Sequence, residues 1–540
     1  NLQAIYADAV FRPRLRHFDF LQEGWRLEHT DINTKTTPII IKGVVYNEMK
    51  GVFNENQTIF IEKLLNSILP SHTYGVVSGG EPLQIPNLTH DYLVKFHQEH
   101  YHPSNSKIYS YGNFPFEDHL KFMNDHYLCS NGKIDVSSSL VPAEPRWLSP
   151  RRKHVDCRLD PLAPDPDRQS SIAIGHLCND IKDTQTTLEL HILAELLIKG
   201  PTSAFYKGFI EENLATGFGP FTGYDSQCRD TIFVISLQGV TNDDFKKIEE
   251  KHDDILKDVI SKGFDDDHVA AVIHGIELRN KHQSSNFGLN LLFNIFPLWN
   301  HEGDIVESLR INSALEEFKR KMKKDEKYLQ KLVEKYLLKN NHRLILTMSP
   351  TDDYDKKLVE AEDAVLKKKL GELSPENVDK IFETGKLLRA DQEKKEDLNI
   401  LPTLMTRDLK DDVDRYDFED IEVSDVPVQV SVQPTNGILY YRGILDIKHL
   451  DDELKVLVPV FNDVFARMGT EKYDYRSFDR LCSLKTGGLS FNSHVSSDKI
   501  DLERYQEGIV VSSYCLLRNS PELWRLLEEL FSRGQLNDLK

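Results

Sequence analysis

The 540 residues include 67 lysines and arginines against 86 aspartates and glutamates, and 39% are hydrophobic. At ~150 residues per domain this length excludes a single small fold, and 27 Phe with 20 Tyr exclude global disorder. The net charge of −19 has the wrong sign for affinity built on phosphate neutralisation, so nucleic acid is excluded as a first choice of partner, whereas basic peptides suit an acidic surface.

Six cysteines (Cys129, Cys157, Cys178, Cys228, Cys482, Cys515) are scattered without a CxxC pair, which fits a reducing compartment and neither a zinc ribbon nor a disulfide framework. No apolar run approaches the ~18 residues of a membrane span, and the first residues show neither a secretory nor a transit pattern. Because the chain opens on Asn1 and residues 4–10 already read as mid-helix, the expectation is a start inside a domain.

In chain order, residues 1–127 read as mostly helical with Pro and Gly punctuation, a strand at 107–111 and a helix at 117–127. Residues 142–166 hold several prolines and read as a linker, in which Arg151, Arg152 and Lys153 are solvated. Strands follow at 170–177, 231–239 and 343–348, alternating with amphipathic helices at 186–199, 243–261 and 266–282. Residues 352–395 are rich in Lys, Glu and Asp at helical spacing and predict a solvated helical hairpin, followed by an acidic connector at 396–427. The element order of residues 172–224 recurs at 439–495. Gly175, Gly200 and Gly217 align there with Gly443, Gly469 and Gly487 at offsets of 268, 269 and 270, which predicts a duplicated unit.

For chemistry, a helix expected over 41–53 carries Ile41, Val44, Val45, Met49 and Val52 in one apolar stripe, with Glu48 inside it. A carboxylate on a buried face is costly unless paired or metal-bound, so the residues alone leave open a paired core acid and a metal ligand. The run His97-Gln98-Glu99-His100-Tyr101-His102 has HxEH spacing, which puts Glu99 off the face of both histidines, and Pro103 ends the helix at once. A structural or surface role is expected for it. None of the twenty histidines begins an HxxEH or HExxH motif, and no GxSxG elbow, P-loop or GxGxxG fingerprint occurs. Ser78-Gly79-Gly80 reads as a connecting loop.

The run from Gly43 through Glu48 to Gly51 resembles the distal zinc-ligand helix of the pitrilysin family of inverted-motif zinc peptidases. Further matching stretches follow in family order. They are Tyr74 to Gly80, His100 to Asn105, Tyr111 to Pro115, Lys281 to Ser284 with Phe287 to Leu289, Trp299 to Asp304, and Gln433 to Gly437. The resemblance implies an α/β (α+β) fold of repeated units, each a mixed, largely antiparallel sheet with helices packed on one face, plus the charged hairpin. It divides the chain into a remainder of the catalytic unit (1–130), a linker (131–168), a second unit (169–350), the hairpin and connector (351–424) and a truncated third unit (425–540). It implies that Glu48 is a Zn2+ ligand and that the HxxEH helix is absent, leaving no catalytic residue in this chain. The implied activity is endoproteolysis of short unstructured, often basic peptides, such as cleaved targeting peptides in the mitochondrial matrix, by a protein that is monomeric at full length. The rival expectation is a non-catalytic homologue that binds peptides or a partner subunit.

Overall fold

The computed structural model describes residues 2–536 apart from 396, 410, 411, 413 and 414. Residues 1 and 540, the outer bounds of the expected first and third units, and parts of the acidic connector lie outside the described residues. The architecture is mixed α/β, and its centre is a six-stranded sheet.

Among the strands, β1 (Arg26–His29) and β2 (Ile39–Lys42) form an antiparallel hairpin in the first segment. The large sheet contains β3 (Arg151–Arg158), β4 (Ser170–Asp180), β5 (Gly217–Phe218), β6 (Gly223–Asp225), β7 (Asp230–Val240) and β8 (Arg343–Thr351). Its order is β3-β8-β4-β7-β5, with β6 also on β7; all pairs are antiparallel except β3 with β8. The expected strands at 170–177, 231–239 and 343–348 are therefore present and a few residues longer. Their near-continuous apolar sequences report burial on both faces. Side chains alternate between faces: Ile172, Phe233, Ile235, Leu237 and Ile345 meet the Thr184–Ile198, Phe245–Lys262 and Asp266–Lys281 helices. On that side His176, His252, Phe205 and Phe209 stack in series at 5.5, 5.3 and 5.7 Å, with both imidazoles fully buried.

Ala173, Leu177, Ile232, Val234, Leu344, Leu346 and Met348 face the other way, and they are not bare. Ile59, Phe60, Leu64 and Ile68 of the Asn56–Ile68 helix cover them. The expectation of helices on one face holds within the second unit, while the first segment supplies the cover for the other. The linker expected over 131–168 is also corrected. Residues 151–158 form the edge strand β3, and Arg152 is held by both oxygens of Glu249 at 2.7 Å rather than merely solvated. The strand expected at 107–111 does not form; instead Tyr109 donates to the Gly288 carbonyl at 3.1 Å and Tyr111 lies against Phe287.

The hairpin helices span Tyr354–Gly371 and Pro375–Gln392, the second capped by Ser374 and started by Pro375. They are less solvated than their composition predicts, since Phe382 and Leu388 are buried and Phe382 stands edge-on to His29. A free-standing hairpin of β9 (Glu419–Val423) and β10 (Val426–Val430) precedes the last unit. There β11 (Ile438–Asp446), β12 (Leu489–Ser497) and β13 (Tyr505–Leu516) order as β11-β13-β12, all antiparallel. The second unit has the same order, β4-β7-β5, and in both units a helix follows the third strand, Phe245–Lys262 and Ser520–Arg533. The duplication is thus real in topology. Its glycine register is not: directly opposed residues share a face. Gly175, opposite Val234, faces Ile68 outside its own helix layer, while Gly443, opposite Val511, faces its own helix core. Since a one-residue slip reverses every side chain, the units align one residue away from the glycine match.

Candidate functional site

Glu48 lies on a nine-residue helix, Val44–Val52, that starts later than expected because residues 39–42 pair with β1. Gly43 makes the corner, passing so close to the Gly24–Trp25 backbone that a Cβ there would sit 2.1 Å from the Gly24 carbonyl oxygen. The helix packs through Tyr46 and Met49, which are buried with Ile85 and flanked by Trp25, Val45 and Val77. Met49 in turn fills the space a side chain at Gly79 would need, which explains Ser78-Gly79-Gly80 as a packing loop. Val44 and Val52 are 51% and 36% exposed, and Glu48 is exposed between them. The expectation of a buried Glu48 is therefore corrected: the stripe through residues 44, 48 and 52 faces outward, and the packed face is the one through 45, 46 and 49. Glu48 makes no hydrogen bond or ion pair among the described residues, so it is not a paired core acid.

Among the described residues no group of three or more His, Cys, Asp or Glu side chains is placed to hold a metal ion. Glu48 offers one oxygen ligand on an unobstructed face, which suits one corner of a tetrahedral zinc site and does not make a site alone. The histidine run is dispersed on structural tasks. His97 Nε2 bonds the Val10 carbonyl at 2.9 Å, His100 lies over Phe96, and His102 Nδ1 accepts from the Ser104 amide at 3.1 Å. Glu99 pairs only with Lys95, across 3.7 Å on the surface.

The remaining stretches behind the resemblance meet one another across the chain. Tyr74 Oη and His301 Nε2 are hydrogen-bonded at 2.9 Å, and burial holds His301 down at about 4. Lys107 stands over Trp299, Tyr109 reaches Gly288, and His282 Nδ1 bonds Tyr440 Oη at 2.8 Å while stacking on Tyr514. Asn436 donates to the Lys281 carbonyl at 3.4 Å. These motifs are joints between units.

Sequence reasoning missed one buried polar joint. Glu144 accepts from Ser71 Oγ at 2.7 Å and the Ser71 amide at 3.1 Å, and its own amide donates to Asp230 at 2.7 Å. Burial pushes the Asp230 carboxyl up, against the pull of the Glu144 amide and of Arg146 at 2.8 Å. An isolated acid between Pro142 and Pro145 gave no periodic signal that could have found it.

Residues 87–276 match the family model described as Peptidase M16 inactive domain, and residues 348–540 the model of the region associated with subfamily C of the same peptidases. The chain is similar to the Drosophila melanogaster protein named presequence protease, mitochondrial, 43% identical over 538 residues, covering 100% of this chain and 52% of that protein. It is similar to the Schizosaccharomyces pombe protein of the same name, 34% identical over 540 residues, covering 100% of this chain and 54% of that protein. Among solved structures it is similar to pitrilysin, with a TM-score of 0.46, 15% identity, and 99% of this chain and 52% of that chain covered. The chain spans about half the length of the curated relatives it matches. With two models of one peptidase family placed in succession and this identity sustained from end to end, the chain belongs to the M16 peptidase family, alongside the presequence proteases.

Proposed function

We propose that this chain is part of a zinc-dependent endopeptidase of the mitochondrial matrix that degrades short unstructured peptides, cleaved targeting peptides among them. The observation that carries the reading is 43% identity, along the whole chain, to a protein named presequence protease, mitochondrial. Two features support it. Glu48 stands exposed and unpaired on a helix anchored by its opposite face, as a carboxylate meant for a ligand must. Targeting peptides are rich in arginine and poor in acids, and a net charge of −19 attracts them.

Zinc held by three protein ligands acidifies a bound water and polarises a scissile carbonyl. In this chain Glu48 supplies one ligand, and no histidine pair stands beside it among the described residues. Residues 1–540 alone therefore neither retain stoichiometric zinc nor cleave. The test has two arms. In the native polypeptide, Glu48→Gln lowers zinc content sharply with an unchanged circular dichroism spectrum, because an amide is a far weaker ligand than a carboxylate; unchanged zinc content removes Glu48 from the site. In the 540-residue chain, stoichiometric zinc together with EDTA-sensitive cleavage of a basic peptide overturns the assignment of no catalytic residue.

A second reading, a non-catalytic homologue that binds peptides or a partner subunit, is favoured by the description of residues 87–276 as an inactive domain. The complete transcript separates the two by the presence or absence of an HxxEH codon run.

A further inference from the structure

The charged hairpin reaches back onto the helix that carries Glu48. Lys50 donates from Nζ to Glu362 Oε2 at 2.8 Å and lies 5.7 Å from the Tyr46 ring centre. Neither partner is fully solvated, with side-chain exposures of 37% and 22%. Around this pair, Lys369 stands over the Trp25 ring, Lys35 pairs with Asp379 at 2.7 Å, and Phe382 is buried against His29. The hairpin is thus seated on the first segment by packing, and Lys50–Glu362 is its direct tie to the nine-residue helix.

That helix needs a tie. Nine residues are too few to hold helical order alone, no side chain caps the N-terminus at Gly43, and only Tyr46 and Met49 are buried. Lys50 sits in the last turn, where the helix dipole favours a cation. At 3.6 residues per turn, Lys50 and Glu48 lie about 200° apart around the axis. A hydrogen bond at Lys50 therefore resists rotation of the helix without touching the Glu48 carboxylate.

We infer that Lys50–Glu362 is a positioning latch through which the helical hairpin sets the orientation of Glu48. Its mechanical part stands on the contacts above; its consequence for metal binding rests on the reading of Glu48 as a zinc ligand.

The test uses Lys50→Met, Glu362→Gln and the exchanged pair Lys50→Glu with Glu362→Lys. Amide hydrogen exchange across Val44–Val52 in the 540-residue chain should rise about 3- to 5-fold in each single variant, as expected for loss of a half-buried ion pair, and return toward the original rate in the exchanged pair. Exchange across the His90–His100 helix should not change. Unaltered exchange across Val44–Val52 in both single variants overturns the latch. In the native polypeptide, Glu362→Gln should weaken zinc binding several-fold, measured by competition with a chelating dye. If exchange rises but zinc affinity does not, the positioning claim is overturned. If Glu48→Gln then also leaves zinc affinity unchanged, the error lies in the ligand reading rather than in the latch.

Discussion

Leu64→Ala probes whether the first segment and the second unit share one core. Leu64 is fully buried on the Asn56–Ile68 helix, in a cluster with Ala173, Leu177, Val234 and Leu346 from three strands of the large sheet. It also approaches Gly175, whose missing side chain leaves the helix room to settle. Truncation removes buried methyl groups and leaves a cavity between a helix and a hydrogen-bonded sheet, neither of which collapses easily. The cost should fall at about 3–4 kcal/mol, in the upper part of the range for buried leucines. With an m-value of about 3 kcal/mol/M, the urea midpoint should fall by ~1 M. Trp147 reports on it directly, because its ring belongs to the same cluster and stacks on His342 at 3.8 Å. Fluorescence of a variant retaining only that tryptophan, with exchange protection of β4 and β7 as a second probe, should show both elements weakened together. A shift below ~0.2 M, or loss of the Asn56–Ile68 helix with β4 and β7 still fully protected, would refute the shared core.

Acid should weaken the second unit through its ring stack. Burial pushes both His176 and His252 below the ordinary imidazole range; His252 and Arg343 add to this for His176, while Asp253 opposes it for His252. Unfolded imidazoles take up protons below pH ~6.5 that the folded ones refuse, so this stability is complete above that pH and falls below it by up to ~1.4 kcal/mol per unit per group. Urea midpoints from pH 7.5 to 5.5 should slope less in His176→Phe; equal slopes would contradict the account. Gly43→Ala should cost the first segment about 1–3 kcal/mol by overpacking against the Gly24 carbonyl, seen as faster proteolysis between residues 24 and 52. Tyr74→Phe should cost ~1–3 kcal/mol by leaving His301 Nε2 unpaired, and a double cycle with His301→Phe should show coupling that vanishes if the two rings act independently.

The strands most legible in the sequence were those buried on both faces. Residues 170–180 and 230–240 are apolar almost throughout, and only a central strand requires that. β3 was hidden because an edge strand need bury little: Arg151 to His154 are all exposed, and only Cys157 is fully covered. The segment 107–111 misled in the opposite sense, since its tyrosines are aromatic for the sake of the Phe287–Asn300 helix rather than for a ladder. At the candidate site the helix itself was legible but its orientation was not. With Val44, Val45, Met49 and Val52 spread around a short cylinder, periodicity could not choose a face. The choice was made by Gly43 and Gly79, whose partners Gly24 and Met49 are contacts no local pattern encodes. The duplication was legible as an order of elements and illegible as a register, because glycines mark close approaches that differ between the two units.

The one parallel pairing in the large sheet imposes a schedule on synthesis. β3 leaves the ribosome unable to pair, because β8, its neighbour, ends only at Thr351. At ~5–20 residues per second β3 waits about 10–40 s. Throughout that interval the apolar side of the Asn56–Ile68 helix and the edge of β4 destined for β8 are both uncovered. A nascent chain in this state presents the surface that holdase chaperones bind, and a truncation or stall anywhere between residues 158 and 343 would leave it so indefinitely.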